Sequence, residues 1–154
     1  TYGWAILIIA VVLGALFSLG VFSSSSFLGT ACIPQSGFFC SNPVATTTSF
    51  SVTVGQATGT AWNSVYVCFV PSGVTVPSAC PTAAGSPSGG VETATPNSIS
   101  LNSGQTQTFT FSPYSGGIPS TLGAGFSGQI WATYSTASAS GLMTEIGTVT
   151  AKVS

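Results

Sequence analysis

Charge is almost absent from this chain. Only 2% of its 154 residues are charged, namely Glu92, Glu145 and Lys152, and neither histidine nor arginine occurs. Phosphate binding relies on clustered lysine and arginine, so this composition disfavours a nucleic-acid partner. The chain also lacks the mixed-charge surface that normally opposes association between copies of a protein.

The same scarcity argues against catalysis. General acid–base chemistry needs titratable groups, and a serine or cysteine nucleophile would have no histidine base. With no histidine and no Cys-x-x-Cys spacing, a metal site is not expected either. The sequence therefore predicts a protein that is not an enzyme and needs no cofactor. We expect Glu92, in a glycine-rich loop, to be solvated, and Glu145 and Lys152 to form a surface pair on one strand or on neighbouring strands.

Hydroxyl groups are the polar surface that remains. The chain has 25 serines and 21 threonines. They are the available means of hydrating its outside, and a surface rich in them also offers attachment points for O-linked glycans.

A long apolar run opens the chain. Residues Tyr2 to Phe22 carry no charge, and Ser18 is the one hydroxyl-bearing interruption apart from Tyr2 itself. A helix of ~20 apolar residues at a rise of about 1.5 Å each crosses a bilayer. Apolar residues would surround this helix on every side, so each face expects lipid or another apolar helix. We predict a hydrophobic helix over residues 1–29.

Three interpretations compete for this run. A secretory signal peptide has a shorter apolar region behind a basic flank, and an ordinary single-pass anchor also needs basic residues to set its orientation. No basic flank is present here. Because the chain starts at the edge of the run, we expect that a leader carrying the orientation charges is removed ahead of the helix.

The run TYGWAILIIAVVLGALFSLGVF, from Thr1 to Phe22, resembles the N-terminal helix of archaeal type IV pilins and related class III signal-peptide proteins. The resemblance covers roughly the first 22 residues. Relatives commonly carry a few more residues and a glutamate near the mature N-terminus, which this chain lacks, so the role of that glutamate is not carried over.

The resemblance implies where the subunit resides and how it assembles. It would sit in the inner (cytoplasmic) membrane, be handled by the pilus assembly machinery, and join copies of itself in a helical homopolymer on the cell surface. The extracellular filament would serve in adhesion. Within the helix, Ala10, Gly14 and Ser18 repeat every four residues, a spacing of small residues that lets helix backbones approach closely. We expect this stripe to be a helix-packing seam.

Beyond Thr30 the apolar pattern changes to period two, which is typical of strands. The clearest alternating segments are residues 50–54, 65–70, 108–111, 130–135 and 148–153. We predict α+β architecture: a long apolar N-terminal α-helix followed by an antiparallel β-sandwich domain of immunoglobulin-like type, with a barrel as the alternative. Residues 30–47 would be a linker and the start of the globular domain, and 48–154 the sandwich. Asn97 to Phe111 is predicted to be a hairpin that turns at Ser103 and Gly104.

The four cysteines, Cys32, Cys40, Cys68 and Cys80, are candidates for disulfides because their number is even and the chain is expected to be exported. Pairing of nearest neighbours would join Cys32 to Cys40 and Cys68 to Cys80. Three connectivities are possible in principle.

A different class of function is a single-pass, membrane-anchored surface receptor or sugar-binding protein. An aromatic cluster with converging carboxylates would favour it, and the available aromatic residues are Trp62, Trp131, Tyr66, Tyr114 and Tyr134. Packing in the core explains most of them more simply. A minor tip adhesin is a third possibility.

Overall fold

The protein consists of one helix and nine strands over the part of the chain that can be described. The structure is a computed structural model that describes residues 2–18, 30–83, 85 and 87–154. The elements, in chain order, are α1 (Gly3–Ser18), β1 (Ala31–Pro34), β2 (Phe38–Ala45), β3 (Phe50–Gln56), β4 (Trp62–Pro71), β5 (Glu92–Thr93), β6 (Ile99–Leu101), β7 (Thr106–Phe111), β8 (Gly125–Ser135) and β9 (Leu142–Lys152).

The strands form two antiparallel sheets. The larger has the order β1-β9-β8-β4-β5, with β6 also pairing with β4, and the smaller has the order β2-β3-β7. Side chains from both sheets contribute to one buried core, so the sheets pack face to face. The prediction of an N-terminal helix followed by antiparallel sheets is therefore confirmed in outline.

The helix is shorter than predicted over the described residues. It covers 16 residues, Gly3–Ser18, whereas the apolar run extends to Phe22. The predicted continuation over residues 19–29 lies outside the described part of the chain. Within the described part, no helix combines the length and apolarity needed to cross a membrane.

Alternation correctly located the strands that carry the core. In β3, Phe50, Val52 and Val54 are buried while Ser51 and Thr53 lie on the other face. The register places Phe50 opposite Phe111 and Val52 opposite Phe109 of β7. The stretch 30–47, predicted as linker and domain start, contributes β1 to the larger sheet and β2 to the smaller.

The predicted hairpin over Asn97 to Phe111 is wrong. The chain does turn where expected, since Gly104 has a φ of 86° and the Gln105 N–H donates to Asn102 O. However, β6 pairs with β4 of the larger sheet, and β7 pairs with β3 of the smaller. The turn therefore crosses between sheets, and the apolar residues of both strands reach the same core from opposite sides.

The opposite edges of the two sheets are also connected. On one side a short turn joins β1 to β2, and the Cys32–Cys40 disulfide links these two strands. On the other side the chain leaves β5 and bridges to β7, where Thr95 and Thr110 exchange two backbone hydrogen bonds. These connections fix the position of one sheet relative to the other.

A cluster of phenylalanine rings fills the centre of the core. Phe69 of β4 lies 6.1 Å from Phe50, 6.2 Å from Phe111 and 5.7 Å from Phe126 between ring centroids. All three contacts are edge-on, the arrangement that aromatic pairs prefer over a face-to-face stack. Because the rings come from four different strands, this cluster ties the two sheets together.

A second, smaller apolar cluster lies on the outer face of the larger sheet. We call residues 72–83, 85 and 87–91 the covering segment. It passes over this face, and the cluster consists of Cys68, Val70, Cys80 and Val91. The Cys68–Cys80 disulfide attaches the segment to β4. Nearest-neighbour pairing of the cysteines is thus confirmed, with a Cα–Cα distance of 5.7 Å in both bridges.

Removing the second bridge should destabilise the protein. The Cys68→Ala, Cys80→Ala double variant frees a loop with a sequence separation of 12, and loop-closure entropy predicts a loss of about 3 kcal/mol of unfolding free energy. Denaturant unfolding of the full chain in detergent measures this loss. The Cys32→Ala, Cys40→Ala variant is the control: it should lose stability similarly but leave hydrogen exchange of the covering segment unchanged. Equal exchange in both variants would contradict the attachment of this segment through Cys80.

Candidate functional site: the exposed apolar helix

The helix α1 is built from residues that need an apolar environment. Its first described backbone bond runs from the Ile6 N–H to Tyr2 O, and Ser18 Oγ donates to Gly14 O at 2.9 Å near its end. Many of its residues are β-branched, which lowers helix propensity in water; they are Ile6, Ile8, Ile9, Val11 and Val12. In an apolar medium every backbone group must be satisfied internally, and this favours the helix regardless of propensity.

No residue of α1 is buried. Ten large apolar side chains between residues 2 and 17 are exposed by 47–81%: Tyr2, Trp4, Ile6, Leu7, Ile8, Ile9, Val11, Val12, Leu13 and Phe17. Full burial of one such side chain is worth about 1.5–3 kcal/mol, so covering the helix would release on the order of 10 kcal/mol or more. Large exposed apolar surfaces are typical of sites that contact membranes or other proteins.

The predicted seam residues Ala10, Gly14 and Ser18 all lie on α1 and are exposed. Their spacing of four places them along one face of the helix. A Cβ placed on Gly14 would have no described atom within 4 Å. The seam is therefore open within the described part of a single chain, and its packing role stays a prediction.

The aromatic residues of the sheets are divided between the core and the outer face of the larger sheet, where Tyr66 and Trp131 are half-buried. Trp62 is 1% exposed and stacks on Tyr134 at 3.8 Å between ring centroids. Trp131 is half-buried on the outer face of the larger sheet, where its Nε1–H donates to Gln129 Oε1 at 2.9 Å. Glu92, one of only two carboxylate side chains, is fully buried. These groups do not converge on one exposed site.

Two open clefts lie on the sheets. One, of about 650 Å³, is lined by the loop of residues 113–121 and by Gly125 and Phe126. The other, of about 500 Å³, lies between the start of the covering segment and strands β8 and β9. No charged side chain lines either cleft. Tyr114 is the one titratable residue among those that line them, and its hydroxyl donates to Gly90 O.

The described residues hold no group of three or more histidine, cysteine or acidic residues that could bind a metal ion. All four cysteines are in disulfides and are not available as ligands or nucleophiles. Glu145 and Lys152 do lie on the same strand, β9, but no ion pair joins them. Seven residues at about 3.3 Å each separate them by roughly 23 Å along the strand.

The environment of Glu92 differs from the sequence prediction. This residue was predicted to be solvated, whereas it is 0% exposed and begins the two-residue strand β5. Its glycine-rich neighbourhood gave no local signal of burial, because the burial depends on distant elements packing around it.

Comparison with known proteins gives this chain no relatives. A scan against protein-family models, a search of curated proteins and a search of solved structures each found no match.

Proposed function

We propose that this chain is a pilin, the structural subunit of an extracellular archaeal type IV pilus that polymerises through its N-terminal helix. The observation that carries the proposal is α1 itself, a helix with nine exposed large apolar side chains and no buried residue. The sheets in the same chain have a complete core of their own. In this proposal the helix mediates assembly of the filament, and the sheets form its outer surface.

The proposed mechanism moves the helix from lipid into a bundle of identical helices. Both environments are apolar and both leave its backbone bonds intact, so transfer needs no net dehydration. The membrane stage is proposed for the whole uncharged run, which in the sequence reaches Phe22. The subunit would reside in the cytoplasmic membrane until the assembly machinery transfers it into the filament.

The outer surface proposed for the filament is rich in hydroxyl groups. On the smaller sheet, Thr53 and Thr108 lie side by side on the exposed face with their Oγ1 atoms 3.1 Å apart. Such residues hydrate a surface that has almost no charge, and O-linked glycans are the proposed modification. Adhesion is the proposed role of the finished filament.

We also propose that the two sheets form an immunoglobulin-like β-sandwich. Support comes from their face-to-face packing around one core and from connections that pass between sheets at both edges. The small residues Ala10, Gly14 and Ser18 support the proposed polymerisation, because they leave room for the backbone of a second helix.

Blocking the seam tests the proposal. The Gly14→Leu variant adds bulk where no described atom lies within 4 Å. It raises intrinsic helix propensity by roughly 0.8 kcal/mol, so the helix itself is not weakened. We expect filaments on the cell surface to fall at least tenfold by electron microscopy while the amount of subunit in the membrane is unchanged. Val12→Leu, a similar apolar change away from the seam, should assemble normally. Normal assembly of Gly14→Leu would remove the seam from the proposal.

The alternative is a membrane-anchored surface receptor or sugar-binding protein with the same helix. It predicts monomers in the membrane and unaltered surface display in the Gly14→Leu variant. Trp62 and Glu92 are buried and would not contribute to a sugar site on the surface.

A further inference from the structure

Glu92 is buried in an unusual setting. It lies in β5, at the edge of the larger sheet, directly opposite Phe69 of β4. Residues directly opposite each other in an antiparallel pair project to the same face, and Phe69 points into the core. The Glu92 side chain therefore points inward, and none of its surface is accessible to solvent.

One oxygen of the Glu92 carboxyl group has a partner and the other has none. Glu92 Oε1 accepts a hydrogen bond from the backbone N–H of Gly85 in the covering segment at 2.7 Å. Glu92 Oε2 is buried and no described group bonds to it. Lys152, the only lysine or arginine of the chain, is exposed at the end of β9 and does not pair with this carboxyl group.

The covering segment is fastened to the sheet close to Glu92 by three further contacts. Thr93 Oγ1 donates to Pro81 O, and Tyr114 Oη, from the loop after β7, donates to Gly90 O at 2.7 Å. The Cys68–Cys80 disulfide holds the part of the segment near residue 80. Of these four attachments, only the one made by Glu92 involves a carboxyl group.

The charged form of Glu92 is unfavourable here. A buried ion without a counter-ion pays a large desolvation cost, whereas the neutral acid leaves only one unpaired hydroxyl group. Burial accordingly raises the pKa of the Glu92 carboxyl above its usual value, and the Gly85 N–H bond lowers it by a smaller amount. Tyr114 is the titratable group that faces Glu92, and burial together with the nearby carboxylate raises its pKa, so the phenol stays neutral.

We propose that Glu92 is a proton-controlled latch for the covering segment. The protonated side chain lets the segment close over the edge of the larger sheet through Gly85. Loss of the proton places an unpaired charge in the interior, and the part of the covering segment that follows Cys80 opens to hydrate it, while the disulfide keeps the other end attached. The covering segment is thus tighter in acid than in base, independently of whether the chain assembles into a filament.

The direction of the pH effect follows from linkage. Because the closed state binds the Glu92 proton more tightly than the open state, the stability of the closed state is complete below the open-state pKa near 4.5 and is lost as the pH rises through the closed-state pKa. Between these two values the open fraction rises by up to about tenfold per pH unit. Above the closed-state pKa the open fraction no longer changes with pH.

Hydrogen exchange of the full chain in detergent, measured between acid and mildly basic pH, tests the latch. After correction for intrinsic exchange, the Gly85 and Val91 amides of the wild type should lose protection as the pH rises. Glu92→Gln keeps the shape and the carbonyl acceptor without the charge, so its protection should not depend on pH. Glu145→Gln removes the other carboxylate and should behave as the wild type does.

Two results would overturn the proposal: a pH dependence that persists in Glu92→Gln, or wild-type protection that does not fall with pH. A second measurement needs no variant. The carbon-13 shift of the Glu92 carboxyl group should titrate above the usual glutamate range in the folded wild type, and titration at or below that range would also refute the latch.

Discussion

Introducing lysine at Ile8 and Val12 should abolish filament assembly while leaving the two sheets folded. Both side chains belong to the exposed apolar surface of α1, at 51% and 52% exposure. A lysine at the centre of an apolar span costs roughly 2.5–3.5 kcal/mol on insertion scales, so two should cost about 5 kcal/mol or more per subunit. That is a factor of several thousand in the equilibrium for placing each helix in an apolar environment, whether lipid or a helix bundle.

The control for this pair is Ser51→Lys with Thr53→Lys, which places the same two charges on the outer face of β3. Filaments should remain visible by electron microscopy in the control and disappear in the helix variant. Circular dichroism should show the same β content in both detergent-extracted chains. Filaments of normal abundance in the helix variant would show that α1 is not the assembly element.

Truncating Phe69 to alanine should remove a large share of the folding stability. Its ring is fully buried and contacts Phe50, Phe111 and Phe126. Loss of a buried phenylalanine ring typically costs about 3–5 kcal/mol through lost contacts and the cavity that remains. Small domains are stable by only about 5–15 kcal/mol, so this loss removes a large share of the free energy of unfolding.

Phe39→Ala is the matched control, because Phe39 lies on the outward side of β2 and is 44% exposed. We expect it to lose less than about 1.5 kcal/mol, the lower bound for full burial of such a side chain. Denaturant unfolding of the full chains in detergent, followed by tryptophan fluorescence, compares the two. Equal losses would mean that the phenylalanine cluster is not the centre of the core.

The strands could be located from sequence because their signal is local. In β3, Phe50, Val52 and Val54 alternate with hydroxyl residues within one short stretch of sequence. All three apolar side chains are buried in the structure. Strand partners could not be located in the same way. Leu101 and Phe109 both face the core, one from each sheet, and alternation cannot distinguish that arrangement from a hairpin.

The setting of Glu92 was beyond local reasoning for a related reason. Its burial needs β4 beside it and the covering segment across it, and its hydrogen bond comes from the backbone of Gly85, which carries no side-chain signal. The disulfide pairs, in contrast, follow the shortest separations of 8 and 12 residues. The apolar helix was recognisable from composition alone, because an uncharged run of this length needs no spatial partner to be noticed.

Cryo-electron microscopy of filaments sheared from cells tests the proposed pilin function most directly. We expect a continuous central bundle of helices into which Gly3–Ser18 can be built, surrounded by copies of the two-sheet domain, with Gly14 facing a neighbouring helix. Filaments that lack this chain, together with a detergent-extracted protein that stays monomeric, would contradict the proposal and favour a membrane-anchored receptor.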